Sequence, residues 1–417
     1  MTISETTQPT TAYVWVWLPE ATEPVVAGRL DLTDRGVYAF TYGRNYSTHP
    51  GRIPLYLPEL PLVTGRQDPP TGFDIAGALS DAGPDSWGRR VVLAKHLGHL
   101  DRDSNVDDLN RITYFLESGS DRIGALDFQT SATTYEPRLA DHAATLDELA
   151  EAAERIQQGI PLSHALEQAL LRGTSIGGAR PKALIDDNGR QLIAKFSSTN
   201  DVFPMVKAEA VAMDLARRAG VNAAQSRVAT AAGKDVLLVE RFDRTPAGGR
   251  RLMISALTIL ERPEILAHRA TYSELAEEIR KRFTDHEQTQ RELFTRIVVN
   301  IAVGNTDDHL RNHAAFWDGT DLTLTPAYDI APQPRSTPET NQAIGISRPD
   351  QRESLLANAR AAAPDFQLTS NDADEIIDHV VDTIRSEWDK AADEARLTAL
   401  EKNQLWGRQI LNEYIFS

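Results

Sequence analysis

The chain contains no cysteine, which excludes disulfides, thiolate nucleophiles and thiolate metal sites. It has no apolar run near the ~20 residues that a membrane-spanning helix needs. Its first residues, MTISETTQPTTAY, carry neither the basic stretch nor the apolar core of a secretory signal. These absences predict a cytoplasmic location and no membrane partner. Basic charge is also in deficit: 44 Lys and Arg face 60 Asp and Glu, a formal net charge of −16. So acidic a chain binds nucleic acid poorly by itself, because phosphate contacts depend on clustered cations. What is present is globular: 41% hydrophobic residues suffice for a real core, and 417 residues suffice for two or three domains.

Periodicity divides the chain into regions. YVWVWL and GVYAFTY carry aromatic and β-branched residues in alternation, with Pro and Gly breaks between them, so residues from 13 to about 62 read as β-rich. DAGPDSWG (81–88) then leads into a helix-like RRVVLAKHLGHL, and SDRIGALDF (120–128) closes the region. Residues 12–130 thus form an N-terminal domain, followed over 131–160 by a polar linker and a helix near 146–158. From 165 to 245 the pattern is again β-rich. KALIDD and QLIAKFS flank an Asn188-Gly189 hairpin signal, a helix spans 204–219 between Pro204 and Gly220, and QSRVATAAGKDVLLVERFD turns at Gly233. Residues 246–413 read as mostly helical, with helices at 272–283, 286–303, 371–391 and 395–413. A β-rich lobe with one helix followed by a helical lobe is the layout of a protein-kinase-like bilobal fold, of class α+β, here with an N-terminal β-rich accessory domain.

The stretch GNTDDHLRNH (304–313) follows the apolar helical run FTRIVVNIAV. Asp307 and Asn312 have the Asp-x₄-Asn spacing of a kinase catalytic loop, in which the Asp orients the attacking hydroxyl and the Asn binds Mg²⁺. Asp329, 22 residues beyond Asp307, follows an apparent hairpin turning near Gly319, where a kinase carries its second Mg²⁺-binding carboxylate. Mg²⁺ takes carboxylate, amide and phosphate oxygens, so Asn312 and Asp329 suit it. Lys195 lies in the apolar strand LIAKF, where an ammonium is costly unless paired. Glu209, 14 residues on, supplies the partner that positions such a lysine on nucleotide phosphates. Read singly, each of these residues is more simply a capped turn or a surface charge; their order is what points to a site. In SIGGARPK (175–182), Gly177 and Gly178 let backbone N–H groups approach phosphate while Arg180 and Lys182 add charge. The backbone from Glu240 to Phe242 is the expected adenine-binding hinge. His309 and His313 read as supports of the loop, because no third nitrogen ligand stands at zinc-site spacing.

The ordered set GTSIGGARPKALI, LIAKF, the Glu209 helix, LLVERFDR, GNTDDHLRNHAAF and LTPAYDIAP resembles the HipA-type serine/threonine kinases, the toxins of bacterial type II toxin–antitoxin modules. DAGPDSWGRR and the Arg122–Leu126 stretch extend the resemblance to roughly residues 12–410. It implies ATP and Mg²⁺ as cofactors, with Asp307 as catalytic base, Asn312 and Asp329 as metal ligands, and Lys195 on the phosphates. It further implies a hinge at Glu240 and Phe242, a ribose contact at Asp243, and autophosphorylation at Ser175. Arg180 and Pro181 occupy positions often filled by Gln and Glu in the best-known member of the family, and Asp308 stands where that member has a glycine. The implied partners are a small HipB-like helix-turn-helix antitoxin, operator DNA mainly through that antitoxin, and a protein of the translation machinery such as an aminoacyl-tRNA synthetase. Two other readings stay open on the residues alone: a catalytically idle corepressor scaffold, and a kinase for a small molecule or lipid.

Overall fold

The computed structural model describes residues 8–97, 104–138, 144–158, 160, 166, 170, 180–187, 189–198, 201, 203–347 and 351–417. The alternating N-terminal sequence folds as an antiparallel sheet of β1 (Thr11–Val16), β2 (Val25–Leu32), β3 (Tyr38–Tyr42), β4 (Arg66–Gln67) and β5 (Leu126–Gln129). Its strand order is β4-β3-β2-β1-β5, so the late GALDF segment returns to pair with the first strand. Residues 131–138, expected as linker, carry no regular structure but are pinned. The Tyr135 ring packs against Trp15 and Trp17 with centroids 5.4 and 5.5 Å apart, and Arg138 pairs with buried Asp127 at 2.8 Å.

A second antiparallel sheet contains β6 (Lys182–Asp187), β7 (Arg190–Phe196), β8 (Ser226–Ala231) and β9 (Lys234–Glu240), ordered β6-β7-β9-β8. Its two faces do different work because side chains alternate along each strand. Leu192, Ala194 and Phe196 turn toward a core that also holds Val236 and Leu238. That core is completed from two helices earlier in the chain. Ser86–Leu97 contributes Trp87, Val91 and Val92, and Leu146–Gln157 contributes Leu149, Ala152 and Ile156. The latter helix begins with a capping box in which Thr145 and Glu148 satisfy each other's backbone N–H groups. The helix expected in the linker is therefore a packed layer of the first kinase-like lobe. The opposite face of the sheet presents Lys195 toward helix Met205–Arg218, which starts after Pro204 and is followed by Gly220 at φ +88°.

The remaining residues are mostly helical, as the sequence predicts, with two corrections. Leu252–Ser255, read as part of a helical region, is strand β10; it pairs with β11 (Ala314–Trp317), which forms the expected hairpin with β12 (Leu322–Leu324). All four β10 residues are buried, so periodicity gave no sign of their conformation. The helix expected over 395–413 is broken. Helix Ser370–Glu394 runs on past its predicted end, Arg396 turns at φ +59°, and Thr398 with Glu401 caps a separate helix Ala399–Leu405. Helices Tyr272–Arg282 and His286–Val303 match their predicted spans. Among the described residues, no helix is long and apolar enough to cross a membrane.

Candidate active site

Helix His286–Val303 is the anchor of the site. Leu293, Ile297, Val298 and Ile301, a stripe along one side of the helix, are all buried, which fixes the helix within the second lobe. It ends at Gly304, where φ is +73° and a Cβ would lie 2.6 Å from the Gln409 carbonyl oxygen. Only glycine meets both demands, so the chain leaves the helix in one direction. The loop it enters is braced by Asp308, a carboxylate with 3% exposure. Asp308 accepts hydrogen bonds from the Tyr272 hydroxyl, from Asn300 Nδ2 at 2.7 Å and from His313 Nε2 at 2.8 Å. Burial acts to raise its pKa, but the His313 and Tyr272 contacts prevail and hold it low. The residue without an assigned role in the sequence is thus the hub of the loop, and His313 supports it as expected.

With Asp308 turned inward, Asp307 opens to solvent. Its pKa is raised by partial burial and by the negative charges of Asp329 and Asp308, against the opposing pull of His309. Asn312, 7% exposed, donates from Nδ2 to the Asp307 carbonyl at 3.3 Å, which leaves its amide oxygen as the acceptor.

Asp329 is delivered from the β12 side. Ala327 N–H donates to Asn222 at 2.7 Å, and the Tyr328 hydroxyl donates to the Arg311 carbonyl at 2.7 Å. Asp329 itself sits at φ +60°, a left-handed conformation that Asp tolerates and that is common at functional sites. Its carboxylate contacts the Lys195 ammonium directly, and the same ammonium lies 2.6 Å from Glu209 Oε1. Lys195, Glu209 and Asp329 are thereby brought together from a strand, a helix and a loop of different lobes. Burial raises the pKa of Glu209 and would lower that of Lys195; the two carboxylates reverse the latter and keep the ammonium charged. Lys182, predicted as loop charge, is instead the first residue of β6, directly across from Lys195, with its Nζ 3.1 Å from Asp85 Oδ2.

The hinge region differs more from expectation. Glu240 ends β9, and its N–H and that of Arg241 are taken by Gln225 and Gln191 at 2.8 and 2.9 Å. Phe242 packs its ring near Phe316 and Tyr328, at 6.1 and 5.7 Å. Asp243, expected at a ribose, is buried in a charged cluster: it accepts from Arg241, from Arg244 at 2.8 Å and from Gly124 N–H at 2.8 Å. The Asp121 carboxylate completes that cluster. Asp243 therefore joins the end of β9 to the N-terminal domain through charge-assisted hydrogen bonds. Ser175, Gly177 and Gly178 lie outside the described residues.

Mg²⁺ fits the donor set. A carboxylate at Asp329 and an amide oxygen at Asn312 would leave the other positions to water and phosphate, as this ion prefers. Sequence reasoning missed Asp81 and Asp85, which approach the site from the N-terminal domain. Nothing in their spacing relates them to residues over 90 positions away.

No curated protein sequence matches the chain. A solved structure, the Shewanella oneidensis MR-1 toxin–antitoxin protein HipA in complex with HipB and operator DNA, superposes with a TM-score of 0.66 at 18% identity. The match covers 94% of this chain and 97% of that one. The Helicobacter pylori proinflammatory kinase CtkA aligns with a TM-score of 0.38 and 14% identity over 55% of this chain and 94% of its own. The first likeness gives the overall arrangement as the HipA fold, a kinase-like bilobal core behind a β-rich N-terminal domain. The family model of the HipA-like C-terminal domain matches residues 174–388, more than half of the chain, and the chain belongs to that family.

Proposed function

We propose that this protein is an ATP- and Mg²⁺-dependent serine/threonine protein kinase and the toxin of a type II toxin–antitoxin module. The observation that carries the reading is the meeting of Lys195, Glu209 and Asp329 across the lobes, beside the solvent-facing Asp307. Bound between Asp329 and Asn312, Mg²⁺ would supply charge neutralisation on the phosphate oxygens. Glu209 holds the Lys195 ammonium where it can meet phosphate. Asp307 orients the acceptor hydroxyl and takes its proton, a role helped by a pKa raised above that of an ordinary aspartate. Asp308 and His313 keep Asp307 and Asn312 in register. Positioning and electrostatics carry most of the rate in such a transfer.

The acceptor is proposed to be a protein of the translation machinery, such as an aminoacyl-tRNA synthetase, with Ser175 as the site of autophosphorylation. A HipB-like helix-turn-helix antitoxin is the proposed partner, supported by the HipB and operator DNA held by the Shewanella structure. The net charge of −16 suits a cytoplasmic protein that reaches DNA through such a partner. Labelled ATP, Mg²⁺ and a cell lysate test the reading together. A labelled protein band that Asp307→Asn abolishes supports it. Label confined to small molecules assigns a different acceptor, and absence of nucleotide binding leaves a corepressor scaffold.

A further inference from the structure

Asp81 and Asp85 stand four positions apart in the N-terminal domain, yet their carboxylates bind different lobes of the kinase-like core. Asp85 caps helix Ser86–Leu97 with Oδ1, 2.8 Å from Gly88 N, while its Oδ2 lies 3.1 Å from Lys182 Nζ on β6. Asp81 accepts from Ser255 N and Ser255 Oγ, each at 2.8 Å, and lies 3.7 Å from Arg311 in the catalytic loop. Ser255 in turn is paired with Ala314, just after that loop. The segment between the two aspartates is stiff. Ala82 and Pro84 are buried, and a Cβ on Gly83 would meet the Phe115 ring at 2.8 Å. Four residues span at most about 14 Å when extended, so the distance between the two anchor points is capped.

We propose that Asp81 and Asp85 form a bracket across the two lobes and act as positioning residues for phosphoryl transfer. The inference rests on the kinase reading. Lys182 and Lys195 face each other across β6 and β7, and two like charges directly opposite repel. Glu209 and Asp329 offset one ammonium; Asp85 holds the other and fixes its direction. Asp81 fixes the catalytic-loop side through Ser255 and Arg311. The N-terminal domain thereby supplies a working part of the phosphate site, so that a partner which shifts this domain alters catalysis without touching the nucleotide.

Steady-state phosphorylation by the full chain, with ATP varied, tests the bracket. Asp85→Asn is expected to lower kcat/KM on the order of 10²-fold, as a misplaced phosphate contact does, with Asp85→Glu recovering part of the loss. The double variant Asp85→Asn/Lys182→Met is expected to be no worse than Lys182→Met alone, because the effect passes through Lys182. Asp81→Asn is expected to lower kcat while leaving the KM for ATP near its wild-type value. Wild-type kinetics in Asp85→Asn, or a loss that adds in full to that of Lys182→Met, overturns the proposal. If Asp85→Asn does not fold, an unchanged kcat in Asp81→Asn overturns it equally. A wild-type chain that neither transfers phosphate nor gains thermal stability with Mg-ATP sinks the kinase reading and the bracket with it. An active wild type with indifferent aspartate variants sinks the bracket alone.

Discussion

Lys195 and Asp329 are in direct ion-pair contact, although they lie 134 residues apart. The carboxylate expected to hold Mg²⁺ is therefore already compensated by a fixed ammonium. The metal alone has to displace that ammonium, whereas Mg-nucleotide brings phosphates that satisfy both. Weak binding of Mn²⁺ or Mg²⁺ without nucleotide, and much tighter binding with it, is the expected result in titration calorimetry. Lys195→Met should reverse the order by raising the affinity for the bare ion while abolishing transfer.

Asp307→Asn keeps the shape of the loop and removes the proton acceptor. A general base typically contributes about 10²- to 10⁴-fold, so kcat should fall by that factor with nucleotide affinity retained. A labelled band of undiminished intensity would remove Asp307 from the role of base.

Asp308 is a buried carboxylate with three donors. Deleting it strands the His313 ring and the Tyr272 hydroxyl in the core. Asp308→Ala should destabilise the fold by roughly 3–5 kcal/mol, and Tyr272→Phe by roughly 1.5–3 kcal/mol, the range for a hydrogen bond to a charged group. Urea midpoints at constant slope measure both.

Acid should weaken the N-terminal domain through Asp127. This carboxylate is fully buried and bound by Arg122 at 2.7 Å and Arg138 at 2.8 Å. Burial acts to raise its pKa, but the two guanidinium groups win and hold it below the ordinary aspartate value. A depressed folded pKa contributes stability that is complete above the unfolded pKa near 4 and is lost as pH falls through the folded value. Thermal melts should thus show a decline below about pH 4, which Asp127→Asn flattens at the cost of a lower plateau.

The parts of the site legible in the sequence were those set by local spacing. Asp307, Asn312 and the 314–324 hairpin before Asp329 hold their register within one short stretch, and Lys195 is marked as a lone cation in an apolar strand. Its partner Glu209 followed from the helix that Pro204 opens. The buried cluster around Asp243 was not legible because Gly124, whose N–H it accepts, and Asp121, which shares its two arginines, come from another domain, and no periodicity reports a contact over 119 residues. β10 was missed because continuous burial erases the alternation that distinguishes a strand. The hub at Asp308 was hidden by its neighbour: adjacent loop aspartates look alike until one turns in and the other out.

The core beneath the second sheet has a practical corollary for anyone dissecting the chain. Leu192, Phe196 and Leu238 are covered by Trp87 and Val91 from one earlier helix and by Leu149 and Ile156 from another. The matched family region starts at residue 174, downstream of both. Excising at that boundary would bare the back of the second sheet to water, and the fragment should aggregate rather than fold. The unit of inheritance and the unit of folding do not coincide here, and the family-matched region should need the residues before it to stay soluble.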